Sequence, residues 1–252
     1  MTSDIGTSGG NGPGRLSGLQ LLALVLLPGI IFGGFFFILS GVFVNRGLTG
    51  YLALLISIPV CLAPMELGVM LFWSARFTGR LSLSPAIAYH SRGTAADYAV
   101  WPLLLFACCG LLSIAVIPIS QYLDTRLTSW LPVWATQNAL LTGLAAGPPA
   151  QRSITLGLAV LLSGFVAPVV EEAYFRGFLL PRMEHWGWAA PVLNSLLFAI
   201  YHFYFPGNVP GIFVGWLPIA YVVMLKKNWR IGAVAHILHN LWAVYTVASL
   251  VT

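Results

Sequence analysis

Long apolar runs separated by short polar stretches set the pattern of this chain. They cover residues 19–44, 51–73, 100–120, 154–183, 188–205, 211–225 and 231–251. A helix rising ~1.5 Å per residue crosses the hydrocarbon core of a bilayer with ~20 residues. Every run except the sixth reaches or approaches that length. Lipid offers no partner to a free backbone group, so apolar runs of this length are read as helices. The pattern predicts an all-α, polytopic membrane helical bundle of about seven transmembrane helices. Pro28, Pro59, Pro64, Pro118 and Pro168 fall inside the runs, which membrane helices tolerate when neighbours re-satisfy the backbone.

Two polar connections are long. The loop 74–97 carries several basic residues. The stretch 122–151 holds Trp130, Leu131, Trp134 and an apolar run at 139–146, where an interfacial helix is expected. Residues 1–16 are rich in Gly and Ser and read as a disordered tail. They precede membrane helices and amphipathic loops over 17–150 and a chemically distinct region over 151–252. No cleavable signal peptide stands out, and no internal repeat marks a secondary transporter.

Composition agrees. Hydrophobic residues make up 58% of the 252 and charged residues 8%, against about 25% charged in soluble domains. The net charge of +5 sits between apolar runs, where it sets orientation instead of forming a nucleic-acid surface. With the N-terminus inside, the inner side holds Arg15, Arg76, Arg80, Arg92, Arg176, Arg182, Lys226, Lys227 and Arg230, and the outer side Arg46, Arg126 and Arg152. That asymmetry predicts an N-inside, C-outside protein. Cys61, Cys108 and Cys109 lie inside apolar runs with no CxxC spacing and read as small buried hydrophobes.

The few ionisable residues inside the runs are the candidate chemistry, since such residues are costly in lipid. Glu171 and Glu172 are followed by Arg176. Glu172 and Arg176 are four apart and can pair on one helix face, leaving Glu171 without a partner in its own helix. A buried carboxylate in that position is poised to exchange a proton as a general base or acid; the alternative is a structural ion pair. Phe198 to His202 forms a second cluster, and His236, His239 and Asn240 a third. Either could instead be interfacial or an interhelical clasp. Helix rise puts Glu171 ~18 Å, His202 ~21 Å and His236 ~15 Å from the inner end of their runs. Three helices therefore bring carboxylate, imidazole and amide groups to one layer, implying a polar intramembrane cavity. Water must reach it, and an inward opening, where Arg182 and Lys226 to Arg230 lie, is expected. Glu66 is isolated beside Pro64, and lining the cavity or pairing with a loop base are both open. Trp73, Trp186, Trp188 and Trp229 suit an interfacial belt. Glu184 and His185 read as solvated loop residues, and Tyr204 and Asn208 as polar positions without an assigned task.

The ordered set Glu171-Glu172-x-x-x-Arg176, Phe198-x-x-x-His202 and His236-x-x-x-Asn240 resembles the three motifs of the CPBP family. These are the type 2 CAAX prenyl proteases and bacteriocin-processing enzymes also labelled Abi. The resemblance covers about residues 160–250. It implies an intramembrane glutamate-type endopeptidase with catalytic residues Glu171, Glu172, Arg176, His202, His236 and Asn240. In that scheme Glu171 activates water and Glu172 with Arg176 supports it. His202 holds the water or donates a proton, and His236 with Asn240 stabilises an oxyanion. No cofactor is expected, although His202, His236 and a carboxylate would also suit zinc; HExxH is absent. The expected partners are a membrane-anchored protein or peptide substrate and the lipid bilayer, with no nucleic acid. A bacterial cytoplasmic membrane is the expected location. A transporter or a non-catalytic scaffold are the competing classes. Substrate and oligomeric state are left open.

Overall fold

A chain that cannot expose its backbone to lipid folds into helices end to end. The computed structural model describes residues 14–129 and 131–251. The tail expected at 1–16 lies, up to residue 13, outside the described residues, as does Trp130.

Helix α1, Gly18–Asn45, opens on a reciprocal capping box: Gln20 N–H donates to Ser17 Oγ at 3.3 Å and Ser17 N–H to Gln20 Oε1 at 2.9 Å. Helix α2, Gly50–Thr78, is capped by Thr49. It winds as a π-helix over Ile58–Leu62, around a proline that cannot donate to the ladder. It stops at Gly79, whose φ of 68° is the left-handed cap geometry. Helix α3, Ala95–Ala115, begins with a second capping box, Thr94 with Asp97. Two short helices follow, α4, Ile117–Leu127, and α5, Gln137–Ala146; α5 is the helix expected in the second long connection. Helix α6, Pro149–Arg182, runs 34 residues. Helices α7, Ala189–Tyr201, α8, Val209–Lys226, and α9, Trp229–Val251, complete the order.

Among the described residues six segments are long and apolar enough to cross a membrane, so the protein is an integral membrane protein. The short element is not the sixth run but the fifth. Helix α7 has 13 residues and stops at His202, where the His202 and Phe203 N–H groups turn back to the i−3 carbonyls of Ala199 and Ile200. The apolar composition continues through Phe203 and Phe205, so the run looked longer than the helix it contains. The chain then reaches the opposite end of the bundle through a turn at Pro206–Asn208.

The ends of the bundle are fixed by side-chain ties. Lys226 Nζ pairs with Asp97 Oδ1 at 2.9 Å at one end. At the other, Arg152 Nη1 donates to the Val251 carbonyl at 2.7 Å. Leu19, Ile38, Phe72 and Leu111 point outward, 70–79% exposed. In water that surface would be an aggregation hazard; against lipid it is the matched face. Aromatic and aliphatic side chains, including Met70, Tyr174, Phe178, Ile219 and Val223, are fully buried in the largest core.

The loop 79–94 lies across the basic end as a strap. Ala88 N–H donates to Gly177 O at 2.9 Å and Trp229 N–H to Tyr89 O at 3.0 Å. Arg182 is buried, stacked 4.0 Å from the rings of both Trp73 and Phe178, and donates to Ala86 O. Glu184 is not a freely solvated loop residue: it accepts from both Lys227 and Tyr89. Its partial burial raises the carboxyl pKa, but the hydrogen bonds from Lys227 and Tyr89 outweigh this and hold it below the ordinary range. A depressed folded pKa means the stabilisation is present above the unfolded value and is lost as pH falls through the folded one. We expect thermal unfolding in detergent to show wild type above Glu184→Gln near pH 7. The gap should be under about 1 kcal/mol, because the pair is half exposed, and should close below the ordinary glutamate value of about 4.3. A pH-independent gap would rule out the ion pair as its source.

Candidate active site

Helix α6 is α-helical over Ala167–Glu172 and wound as a π-helix on both sides, Ala159–Val166 and Ala173–Leu179. Such insertions are common where a helix must aim side chains off its regular face. Here the α-helical turn between them presents two adjacent carboxylates in different directions. Glu172, fully buried, lies 3.3 Å from Arg176 Nη1 and accepts from His236 Nδ1 at 3.2 Å. Glu171 faces away from that pair. Its Oε1 lies 3.7 Å from His202 Nε2 and its Oε2 3.8 Å from His236 Nε2.

Each imidazole is oriented through its other nitrogen. His202 Nδ1 lies 2.8 Å from the Phe198 carbonyl, a group that can only accept, so Nδ1 carries the proton. His236 Nδ1 meets Glu172, which the guanidinium of Arg176 keeps as an acceptor, so the same tautomer follows. In the neutral rings both Nε2 atoms therefore offer lone pairs toward Glu171. Three acceptors converging at 3.7–3.8 Å match a group that can supply protons between them, and a water molecule is the simplest. The oxyanion role that the resemblance implies for His236 requires that ring to carry a second proton. Asn240 Nδ2 donates to Ser163 O at 2.8 Å; its second N–H is left over, and the residue lines the cavity.

All six sequence-derived positions fall in or directly behind one cluster. Glu171, His202, His236 and Asn240 line a cavity of about 460 Å³, within the usual range for ligand sites. Glu172 and Arg176 sit behind it. Aromatic rings form its wall: Phe198 lies edge-on to His202 at 4.8 Å and beneath Arg176 at 4.3 Å, while Trp216 meets His236 at 5.0 Å. Tyr204 and Asn208 also line it. His239 does not; its ring lies edge-on to both Phe106 and Trp216. Among the described residues no group of three His, Cys, Asp or Glu side chains is closed up as a metal would draw it.

Residues 153–242 match the family model described as Rce1-like, type II CAAX prenyl endopeptidase Rce1-like. Over this stretch, 90 of the 252 residues, the chain is similar to the type II CAAX prenyl endopeptidases. Comparison with curated proteins and with solved structures gives no match. The Rce1-like region begins inside α6 and ends inside α9, so it contains every residue of the cluster; α1 to α5 lie outside the match.

Sequence reasoning left the place of Glu66 open and passed over Tyr201 and Gly232. Glu66 neither lines the cavity nor pairs with a loop base. It is fully buried, next to the Tyr201 hydroxyl and within electrostatic reach of Glu171, without a closed hydrogen bond. Tyr201 immediately precedes His202 and carried no motif signal. A methyl group at Gly232 would stand 2.6 Å from Glu172 Oε2, 3.0 Å from Val223 and 3.1 Å from Ile219, so the absent side chain is what lets Glu172 sit against α9. Gly232→Ala is expected to cost about 1–3 kcal/mol by overpacking and to lower peptidase turnover by displacing the carboxylate that orients His236. Unchanged melting temperature and turnover would remove Gly232 from the site's support.

Proposed function

We propose that the protein is an intramembrane endopeptidase that hydrolyses a peptide bond of a membrane-associated protein or peptide, with water activated by Glu171 and no metal. The observation that carries this reading is the facing of Glu171 by two Nε2 lone pairs at 3.7 and 3.8 Å on the cavity floor, each ring locked from behind.

Water held there gives a proton to Glu171 as its oxygen attacks the substrate carbonyl. Asn240 lines the cavity, and the Nδ2–H it does not give to Ser163 suits the oxygen that becomes negative. As the C–N bond breaks, Glu171 returns the proton to the departing amine nitrogen, and the water oxygen stays on the new carboxyl. A carboxylate that alternately takes and gives a proton at one position performs general base and then general acid catalysis. The Glu172–Arg176 pair acts through His236, which it orients. CAAX-like tails, leader peptides and C-terminal sorting segments are the substrate classes considered.

Zinc is the second reading, resting on residue types alone: two imidazoles and a carboxylate are donors that ion takes, and a carboxylate behind a histidine is its usual outer support, but among the described residues no three such side chains are grouped as a metal site. Zinc there would supply Lewis-acid activation of water. Membrane-anchored reporter peptides incubated in ¹⁸O-water separate the two. The expected result is one ¹⁸O in the new carboxyl and a rate unchanged by a strong chelator. A chelator-abolished rate restored by zinc would overturn the metal-free reading.

A further inference from the structure

The cavity has a direction, opposite to the one the sequence suggested. Its lining beyond the Glu171 layer comes from Tyr51 to Leu62 of α2, Ser113 at the end of α3, Ile117 and Ser120 of α4, and Asn208 and Gly211 at the start of α8. Each of these lies toward the end where α1 finishes, α6 begins and α9 finishes. From Leu62 back to Tyr51 the wall rises ~16 Å. At the rim α4 packs on the turn before α8: a Cβ on Gly207 would stand 2.8 Å from Asp124 Cβ. Ser163, Asn240, Ser113, Ser120 and Asn208 give the wall polar groups from floor to rim.

Below the floor the bundle is closed. Tyr174, Phe175, Phe178, Ile219 and Ile231 are fully buried on the basic side, and the strap crosses that end, held by Arg182, Tyr89 and Lys227. The charge count also changes with the structure. Arg176 is buried at the depth of the site with Glu172, so it belongs to neither end. The strap end then holds Arg15, Arg76, Arg80, Arg92, Arg182, Lys226, Lys227 and Arg230, and the cavity end Arg46, Arg126 and Arg152. Short cytoplasmic connections carry the excess of Lys and Arg.

We infer that the site opens to the non-cytoplasmic face of its membrane and takes an exported polypeptide, anchored by a membrane segment, whose scissile bond is presented at the outer leaflet. The side of the opening follows from the lining, the seal and the charge asymmetry; cleavage of what enters rests on the peptidase reading. Soluble cytoplasmic tails would meet the strap, not the cavity.

The test has two arms. With Cys61, Cys108 and Cys109 replaced by serine, single cysteines are placed at the rim, Ser120→Cys or Asn208→Cys, and on the strap, Ser82→Cys. Right-side-out and inverted membrane vesicles are treated with a membrane-impermeant maleimide. The rim cysteines are expected to label at least about tenfold faster in right-side-out vesicles, and the strap cysteine in inverted ones. The second arm expresses two reporters with one cleavage sequence and one membrane anchor, the sequence facing out in one and in in the other; only the first is expected to be cut. Rim labelling from the inside, or equally from both sides, overturns the inference. Cleavage of the inward reporter alone overturns it while sparing the peptidase reading. Outward labelling with neither reporter cut upholds the side and counts against the substrate class, and two rim positions guard against one failing to fold.

Discussion

Glu171→Gln is expected to lower kcat/KM by about 10³-fold or more while leaving the fold intact. Glutamine keeps the shape of the side chain but cannot take a proton from water. General base catalysis contributes about 10²–10⁴-fold, and here the same group also returns the proton to the leaving amine, so the loss should lie toward the top of that range. In barrier terms 10³ is about 4 kcal/mol, far above what a rearranged hydrogen bond would account for. The carboxylate it replaces faces Nε2 of His202 and His236, and an amide there can donate to one of them, so binding should survive better than turnover. Steady-state kinetics with a membrane-anchored reporter and a melting curve in detergent check this together. A kcat/KM within tenfold of wild type, with unchanged melting, would remove Glu171 as the base.

The membrane bundle and the cluster were readable because both rest on rules that lipid makes strict. Apolar runs must be helices, and charges within them must have a reason. That is why Glu171, Glu172, Arg176, His202, His236 and Asn240 could be named from spacing and then be found around one cavity. What stayed hidden has a common cause: an apolar residue reads alike whether it faces lipid, core or cavity. The end of α7 at His202 falls in an uninterrupted aromatic stretch, so composition gave no stop. Gly232 matters through a contact with a carboxylate on another helix. The direction of the cavity depends on which apolar faces close, as those around Tyr174 and Phe178 do, and on a strap whose backbone and side-chain ties join residues far apart in the chain. Charge asymmetry orients the chain, but it does not say which end of the bundle is hollow.

Arg176→Ala should be the most destabilising single change in the Rce1-like region, by about 3–5 kcal/mol, because removing one partner leaves an uncompensated buried charge. Glu172 is fully buried, its Oε2 has no hydrogen-bond partner among the described residues, and Arg176 is its ion-pair partner. The guanidinium also stacks on Phe198 at 4.3 Å, so truncation loses packing as well as charge. The double variant Glu172→Leu with Arg176→Met separates stability from function. Replacing both charges with apolar groups of similar volume is often neutral or favourable to a fold, so melting should return to within about 2 kcal/mol of wild type. Peptidase activity should not return with it. Without Glu172, His236 Nδ1 loses the acceptor that fixes its tautomer, and losses of an outer support typically cost about 10–100-fold. A double variant as active as wild type would mean that the ion pair serves only the fold and that His236 is oriented by something else.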